Sequence, residues 1–233
     1  MATKTSQPEN PDRCYRGIGI VQRKIERRAR LINAAIKCFG RDGYHATTLK
    51  SLCSEAGLTE RYFYESFASF DEILCCSYQH AADAIFDIVI AAMATAEPAP
   101  LPRMRTALTS YFKAIAADPA RARLVLIEIE GASENANQVY RAQLRSTSDL
   151  IRLTIFRELP DNPDNGLSLK LLATAVLGAV YQLAKEWTLS GFKLPRAALV
   201  RNLEAVVAGI LGEWQVRQTP VAGKRVKKKQ DTK

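Results

Sequence analysis

Apolar positions spaced three and four residues apart recur along almost the whole chain, which is the period of an α-helix with one buried face. From Val21 to Arg41, Leu31, Ala35, Cys38 and Phe39 fall on one face, and Lys24, Arg27, Arg28 and Lys37 fall on the other. Gly43 stops this helix. Thr48 is a good N-cap for a short helix Leu49–Ala56, whose inner face is Leu49, Leu52, Cys53 and Ala56. Ser51 stands where a strict capping box has Glu or Gln, so no capping box is expected. Gly57 suits the left-handed position that closes a helix. Thr59 then caps a third helix, Glu60 to Phe67, with Phe63 and Phe67 inward and Glu60, Arg61 and Tyr62 in its first turn. Helix, Gly-containing turn and short polar-aromatic helix make the layout of a helix-turn-helix.

The pattern continues as a long helix from Phe70 to about Ala94, with Asp71 and Glu72 where negative charge suits the helix dipole. The stretch TAEPAPLP (95–102) breaks it. Helical runs follow over Arg103 to Ala117, Pro119 to about Ile129, Glu134 to about Glu158, Leu167 to about Ser190 and Pro195 to about Val216, with LPDNPDNG (159–166) as a loop. No alternating run reads as a strand. The fold class is therefore all-α, with about nine helices: a three-helix helix-turn-helix head over 21–68 and a larger helical bundle body over 69–216. Residues 1–20 read as a flexible arm and 217–233 as a basic disordered tail.

Charge sharpens this division. The formal net charge of the 233 residues is +9, of which +5 lies in residues 1–66, −2 in 67–215 and +6 in 216–233. Positive excess at the two ends favours a polyanion as partner. Five cysteines form no CxxC and only two histidines are present, which argues against a structural zinc site and fits a reduced, cytoplasmic protein. The polar N-terminus does not read as a signal peptide, and Leu171–Tyr181, the longest apolar stretch, is too short to span a bilayer. There is no Ser-His-Asp set, HExxH motif or phosphate-binding glycine loop, so no catalytic residue, metal or cofactor is expected.

The segment Ala29 to Leu74 resembles the head of the tetracycline-repressor (TetR) family. The likeness rests on LINAAIKCF (31–39), Asp42-Gly43-Tyr44, Thr47-Thr48, Leu52, Ala56-Gly57-Leu58-Thr59, Phe63-Tyr64, Phe67, Ser69 and Glu72 to Leu74. The resemblance implies a homodimer that offers one recognition helix per head to a double-stranded operator with two-fold symmetry. It implies a body that dimerises through its last two long helices and binds a small-molecule effector, most members being repressors. Two features depart from the family pattern: Phe70 stands where a phosphate-binding Lys is common, and Glu65 and Ser66 stand where His or Tyr often follow the Tyr.

Candidate DNA-contacting residues follow from these elements. Arg61 in the first turn of the recognition helix can reach guanine O6 and N7, or phosphate. Tyr62 can meet a thymine methyl or a phosphate. The resemblance gives Tyr64 a phosphate contact with its ring packed into the head. Thr59 and Thr48 serve as caps whose hydroxyls or nearby N–H groups can also meet phosphate. Glu60 can accept from cytosine N4 or face solvent, and Lys50 can reach phosphate or lie on a solvated face. Arg23, Lys24, Arg27 and Arg28 can meet phosphate or the minor groove, or form a solvated helix face, and Lys224, Arg225, Lys227, Lys228 and Lys229 in the tail can add sequence-independent attraction or nothing specific. In the body, Tyr78, Phe86, Tyr111, Phe112, Phe156, Tyr181 and Trp187 are candidate lining of an effector pocket, or plain core. Glu128, in the apolar run LVLIEIE (124–130), is a candidate partner for a cationic or hydroxylated ligand, or a solvent-facing carboxylate. Leu171–Leu183 and Leu199–Leu211, with Gly178, Ala179 and Gly209, offer stripes suited to packing between subunits or within one. The leading expectation is a homodimeric regulator released from its operator by a small apolar or amphipathic effector. A non-specific or architectural DNA-binding protein is the alternative.

Overall fold

The computed structural model describes residues 11–160 and 166–218. These residues form nine α-helices and no strand: α1 (Pro11–Asp42), α2 (Leu49–Ala56), α3 (Glu60–Tyr64), α4 (Phe70–Ala94), α5 (Pro100–Ala117), α6 (Pro119–Arg123), α7 (Glu134–Ile155), α8 (Leu169–Leu189) and α9 (Arg196–Gln218). A π-helical turn, Leu124–Glu128, continues α6.

Several boundaries differ from the sequence expectation. Helix α1 begins at Pro11, so residues 11–20 are helical rather than part of a flexible arm, and residues 1–10 lie outside the described residues. The tail lysines and arginine from Lys224 to Lys229 also lie outside them. A capping box is present after all: the Thr48 hydroxyl accepts from Ser51 N at 3.1 Å, and Ser51 Oγ accepts from Thr48 N at 3.0 Å. Serine performs the reciprocal role here despite its short side chain. Helix α3 ends at Tyr64 rather than Phe67, because the chain tightens through Ser66 N–H to Phe63 C=O at 2.9 Å. Gly57 closes α2 at φ 61°, as its position implied.

The core runs through the expected border between head and body without a gap. Leu31, Phe39, Leu52, Phe63 and Phe67 belong to the same buried cluster as Ile73, Leu74, Tyr78, Ile115, Leu124 and Trp214. Gly40 sets how closely the halves approach. A Cβ built there would lie 2.0 Å from the carbonyl oxygen of Ala120, so α1 and α6 touch backbone to backbone. Helix α4 is long and apolar enough by composition to cross a membrane, yet Ile73, Leu74, Tyr78, Ala81 and Ile85 bury its inner face in this core. In the body α5 lies against both α4 and α9, and α7 lies against α8.

Candidate DNA-binding head and body cavity

Helices α2 and α3 are held to the scaffold from inside, which leaves their outer face open. Leu52, Cys53, Ala56 and Phe63 are buried, while Thr48, Lys50, Thr59, Glu60, Arg61 and Tyr64 are exposed. Thr59 takes the N-cap position of α3 with extended backbone, but its hydroxyl makes no capping hydrogen bond. Arg30, not singled out from sequence, donates to the carbonyl of Ala56 at 2.7 Å and of Gly57 at 3.2 Å. A cation there completes the C-terminal carbonyls of α2.

The basic approach divides into two kinds of side chain. Lys24 and Arg23 are exposed, Arg23 bonding only to its own helix through the Gly19 carbonyl at 2.9 Å. Arg28 is part of the fold instead: it donates to the Ser66 carbonyl at 2.6 Å and the Cys76 sulfur at 3.3 Å, and its guanidinium lies 4.2 Å from the Phe67 ring centre. It therefore ties α1 to the turn after α3 and to α4. Arg27 lies 4.2 Å over the Tyr62 ring and pairs with Glu65 at 3.3 Å. Glu65 also pairs with Arg61 at 3.1 Å, and the Arg61 side chain remains 84% exposed. An ion pair so exposed contributes between 0 and about 1 kcal/mol, so an arriving phosphate or base can displace it. Tyr64 is 64% exposed and meets Phe63 only edge-on, at 5.3 Å between ring centres; its ring is less packed into the head than expected.

Phe70, at the position where the family often carries a phosphate-binding Lys, packs. Its ring lies 5.4 Å from Phe39, 5.8 Å from Tyr44 and 6.5 Å from Phe63. Beside this aromatic seam sits Glu128. Its carboxylate accepts from the backbone N–H of Tyr44 at 3.0 Å and from Arg123 Nε at 2.9 Å. Glu128 is neither cavity lining nor free in solvent; it joins the π turn of the body to the loop between α1 and α2. Gly43, at φ 91° beside that carboxylate, gives the loop the backbone shape this contact needs.

The body encloses an apolar cavity of about 110 Å³ between α4, α5, α7 and α8. Ile85, Phe86 and Val89 line it from α4, Met104, Leu108 and Tyr111 from α5, Gln143, Thr147 and Ile151 from α7, and Leu177, Val180 and Tyr181 from α8. Val125 of the π turn closes one side, and none of the lining residues is charged. Of the expected pocket residues, Phe86, Tyr111 and Tyr181 are in the wall. Tyr78, Phe112 and Phe156 are buried core, at 0%, 0% and 1% exposure. Trp187 lines a separate shallow depression with Phe192, and its indole N–H donates to the Leu194 carbonyl at 2.8 Å. The polar wall residues Gln143, Thr147 and Thr154 carry no mark in the sequence, because their spacing on α7 equally suits a solvent-facing stripe.

Two tyrosines, Tyr111 and Tyr181, line this cavity, and Tyr78 and Tyr140 lie near them outside the wall. Burial pushes the phenols of Tyr78, Tyr111 and Tyr181 well above their ordinary range, and they lie close enough to one another and to Tyr140 for each ionised ring to disfavour the next. The hydroxyls of Tyr78 and Tyr111 are sealed from solvent and have no hydrogen-bond partner. Each such group costs about 1–3 kcal/mol while unsatisfied. Among the described residues no group of three His, Cys, Asp or Glu is placed to hold a metal.

With this geometry in place, comparison with known proteins is direct. Residues 31–74 match the family model of bacterial regulatory proteins of the tetR family. Among curated proteins none matches the chain significantly. The fold is similar to that of the fatty acid degradation regulator FadR from Bacillus halodurans, with 18% identity, a TM-score of 0.68, and 78% of this chain and 95% of that one covered. It is similar to FadR from Bacillus subtilis in complex with stearoyl-CoA, at 15% identity, TM-score 0.68 and coverage of 77% and 96%. A TetR-like transcriptional regulator from Rhodococcus sp. RHA1 superposes with TM-score 0.61 at 18% identity, covering 80% of this chain and 96% of that one.

Proposed function

We propose that this chain belongs to the tetR family of bacterial regulatory proteins and is a homodimeric repressor that a small, mainly apolar effector releases from its operator. The chain is a DNA-binding transcriptional regulator. The observation that carries the reading is the braced pair α2 and α3, within the family-matched segment, presenting Lys50, Arg61 and Tyr64 outward. Arg61, held only by an exposed ion pair, is the base-reading residue, and Tyr62, Tyr64, Thr48, Thr59, Lys50, Arg23, Lys24 and Arg27 supply backbone contact, with Glu60 beside them.

Support for a dimer comes from the apolar side chains left outside on α8 and α9: Leu171 at 69%, Leu189 at 56% and Val206 at 46% exposure. A second copy is the partner that suits such a face in this fold. Support for the effector comes from the cavity, and a ligand with a long apolar part, of the kind carried by the Bacillus subtilis FadR complex, is compatible with its wall. Release then follows from the π turn. Val125 faces the cavity and Glu128, three residues on, holds the Tyr44 amide. A ligand that displaces Val125 moves the carboxylate on which the head rests.

Operator selection from random duplex DNA tests this. The expected product is a near-palindrome with half-sites set by helical repeats of about 10–10.5 base pairs. Arg61→Ala is expected to lose about 1–3 kcal/mol of discrimination at one base position of each half-site. Glu65, which ties down Arg27 and Arg61, favours a second reading of sequence-independent binding. In that case selection returns no preferred sequence, affinity falls steeply with salt, and Arg61→Ala changes little.

A further inference from the structure

The unsatisfied phenols carry information about the ligand that the cavity's apolar wall alone does not. Tyr111 lines the cavity, its hydroxyl is sealed from solvent, and it has no partner; the Tyr78 hydroxyl, in the buried core outside the wall, also lacks a partner. The neighbouring rings do not relieve them: Tyr78 meets Tyr140 only edge to face, with 6.3 Å between ring centres. Both phenols stay protonated because burial raises them far above their ordinary range, so each remains a donor. No Lys, Arg or His stands in the wall to balance an anion, and no Asp or Glu stands there to balance a cation.

We infer that the cavity takes an uncharged, mainly apolar molecule bearing one hydrogen-bond acceptor, a carbonyl-type oxygen of an ester, ketone, lactone or thioester, which receives the Tyr111 hydroxyl. The inference rests on the reading of this cavity as the effector site, and it excludes a ligand whose charged group lies among the lining residues. A carboxylate would also accept from the Tyr111 phenol, but it would be buried without a counter-charge, a cost that outweighs one neutral donor. An acceptor oxygen completes the Tyr111 hydroxyl and leaves the apolar remainder against Ile85, Leu108, Leu177 and Val180.

Calorimetry on the full chain without DNA tests this with three probes of one shape: methyl cyclohexanecarboxylate, the cyclohexanecarboxylate anion and propylcyclohexane. The ester is expected to bind, and the anion to bind at least about a hundredfold more weakly at neutral pH. Tyr111→Phe and Tyr78→Phe each remove only an unpartnered hydroxyl. Tyr111→Phe is expected to weaken the ester about tenfold while leaving propylcyclohexane within about twofold, whereas Tyr78→Phe, outside the wall, leaves both within about twofold. Three outcomes overturn the inference: the anion binding as tightly as the ester, Tyr111→Phe shifting ester and hydrocarbon alike or neither, or no probe binding. These measurements involve no operator, so their failure leaves the regulator reading to stand on operator selection, and a failed selection leaves the ligand class standing.

Discussion

The outer face of the head and the cavity of the body treat polar groups in opposite ways. On the head, charge is abundant and every strong pair is wet: Arg61 with Glu65, Lys37 and Arg41 with Glu55. Water and movable carboxylates satisfy these cations, so exchanging a carboxylate for a phosphate costs little. In the cavity, charge is absent and the buried Tyr111 hydroxyl lacks a partner. There an incoming group cannot trade places with another and must complete something missing. The first surface suits a polyanion met along many contacts, the second a small neutral molecule met at one or two atoms.

The seam between these regions should yield the largest effect. Gly40→Ala forces a methyl into the Ala120 carbonyl and must part α1 from α6. A loss of about 3 kcal/mol or more is expected in urea unfolding. A loss under about 1 kcal/mol would show that the two helices have slack. Next comes the contrast between arginines. Arg28→Ala removes bonds to Ser66 and Cys76 and the cover of Phe67, so about 2 kcal/mol of stability should go. Lys24→Ala should leave the melting temperature unchanged and lower the salt slope of DNA binding by about one. Equal stability losses in the two variants would erase the distinction drawn between them. The smallest effect concerns pH. In the unfolded chain tyrosines ionise near pH 10, whereas burial holds the protons on Tyr78, Tyr111 and Tyr181. The folded state then binds more protons, so stability should be level below the unfolded value and fall above about pH 10. Cys75, pushed up to about 11, begins the decline nearer pH 9. Replacing Tyr78 and Tyr111 together by Phe should flatten the upper part of the curve.

Helix positions were legible in the sequence wherever caps and glycines punctuate the apolar period, as at Thr48 and Gly57. The inward set Leu31, Phe39, Leu52, Phe63 and Phe67 was legible for the same reason. The roles of long polar side chains were not. Arg27 and Arg28 are neighbours with the same chemistry, and only the fold shows that one lies over Tyr62 beside Glu65 while the other is locked behind the recognition helix. Glu128 could not be placed either, because its partner Tyr44 is 84 residues away in the chain. Periodicity reports which face is buried, and says nothing of which distant backbone amide that face will meet.

The π turn at Leu124–Glu128 carries one further consequence. A π turn holds an extra residue relative to α spacing, here marked by the Ile129 N–H bonding to the Leu124 carbonyl at 3.3 Å. Deleting a single residue from this stretch would let the helix relax to ordinary winding and change the facing of residues within the turn by up to about 100°. The carboxylate of Glu128 would then swing off the Tyr44 amide although every side chain that matters was retained. The seating of the head is therefore written partly as a length, a residue count between Ala120 and Glu128, which substitution scanning leaves untouched and insertion or deletion scanning would reveal.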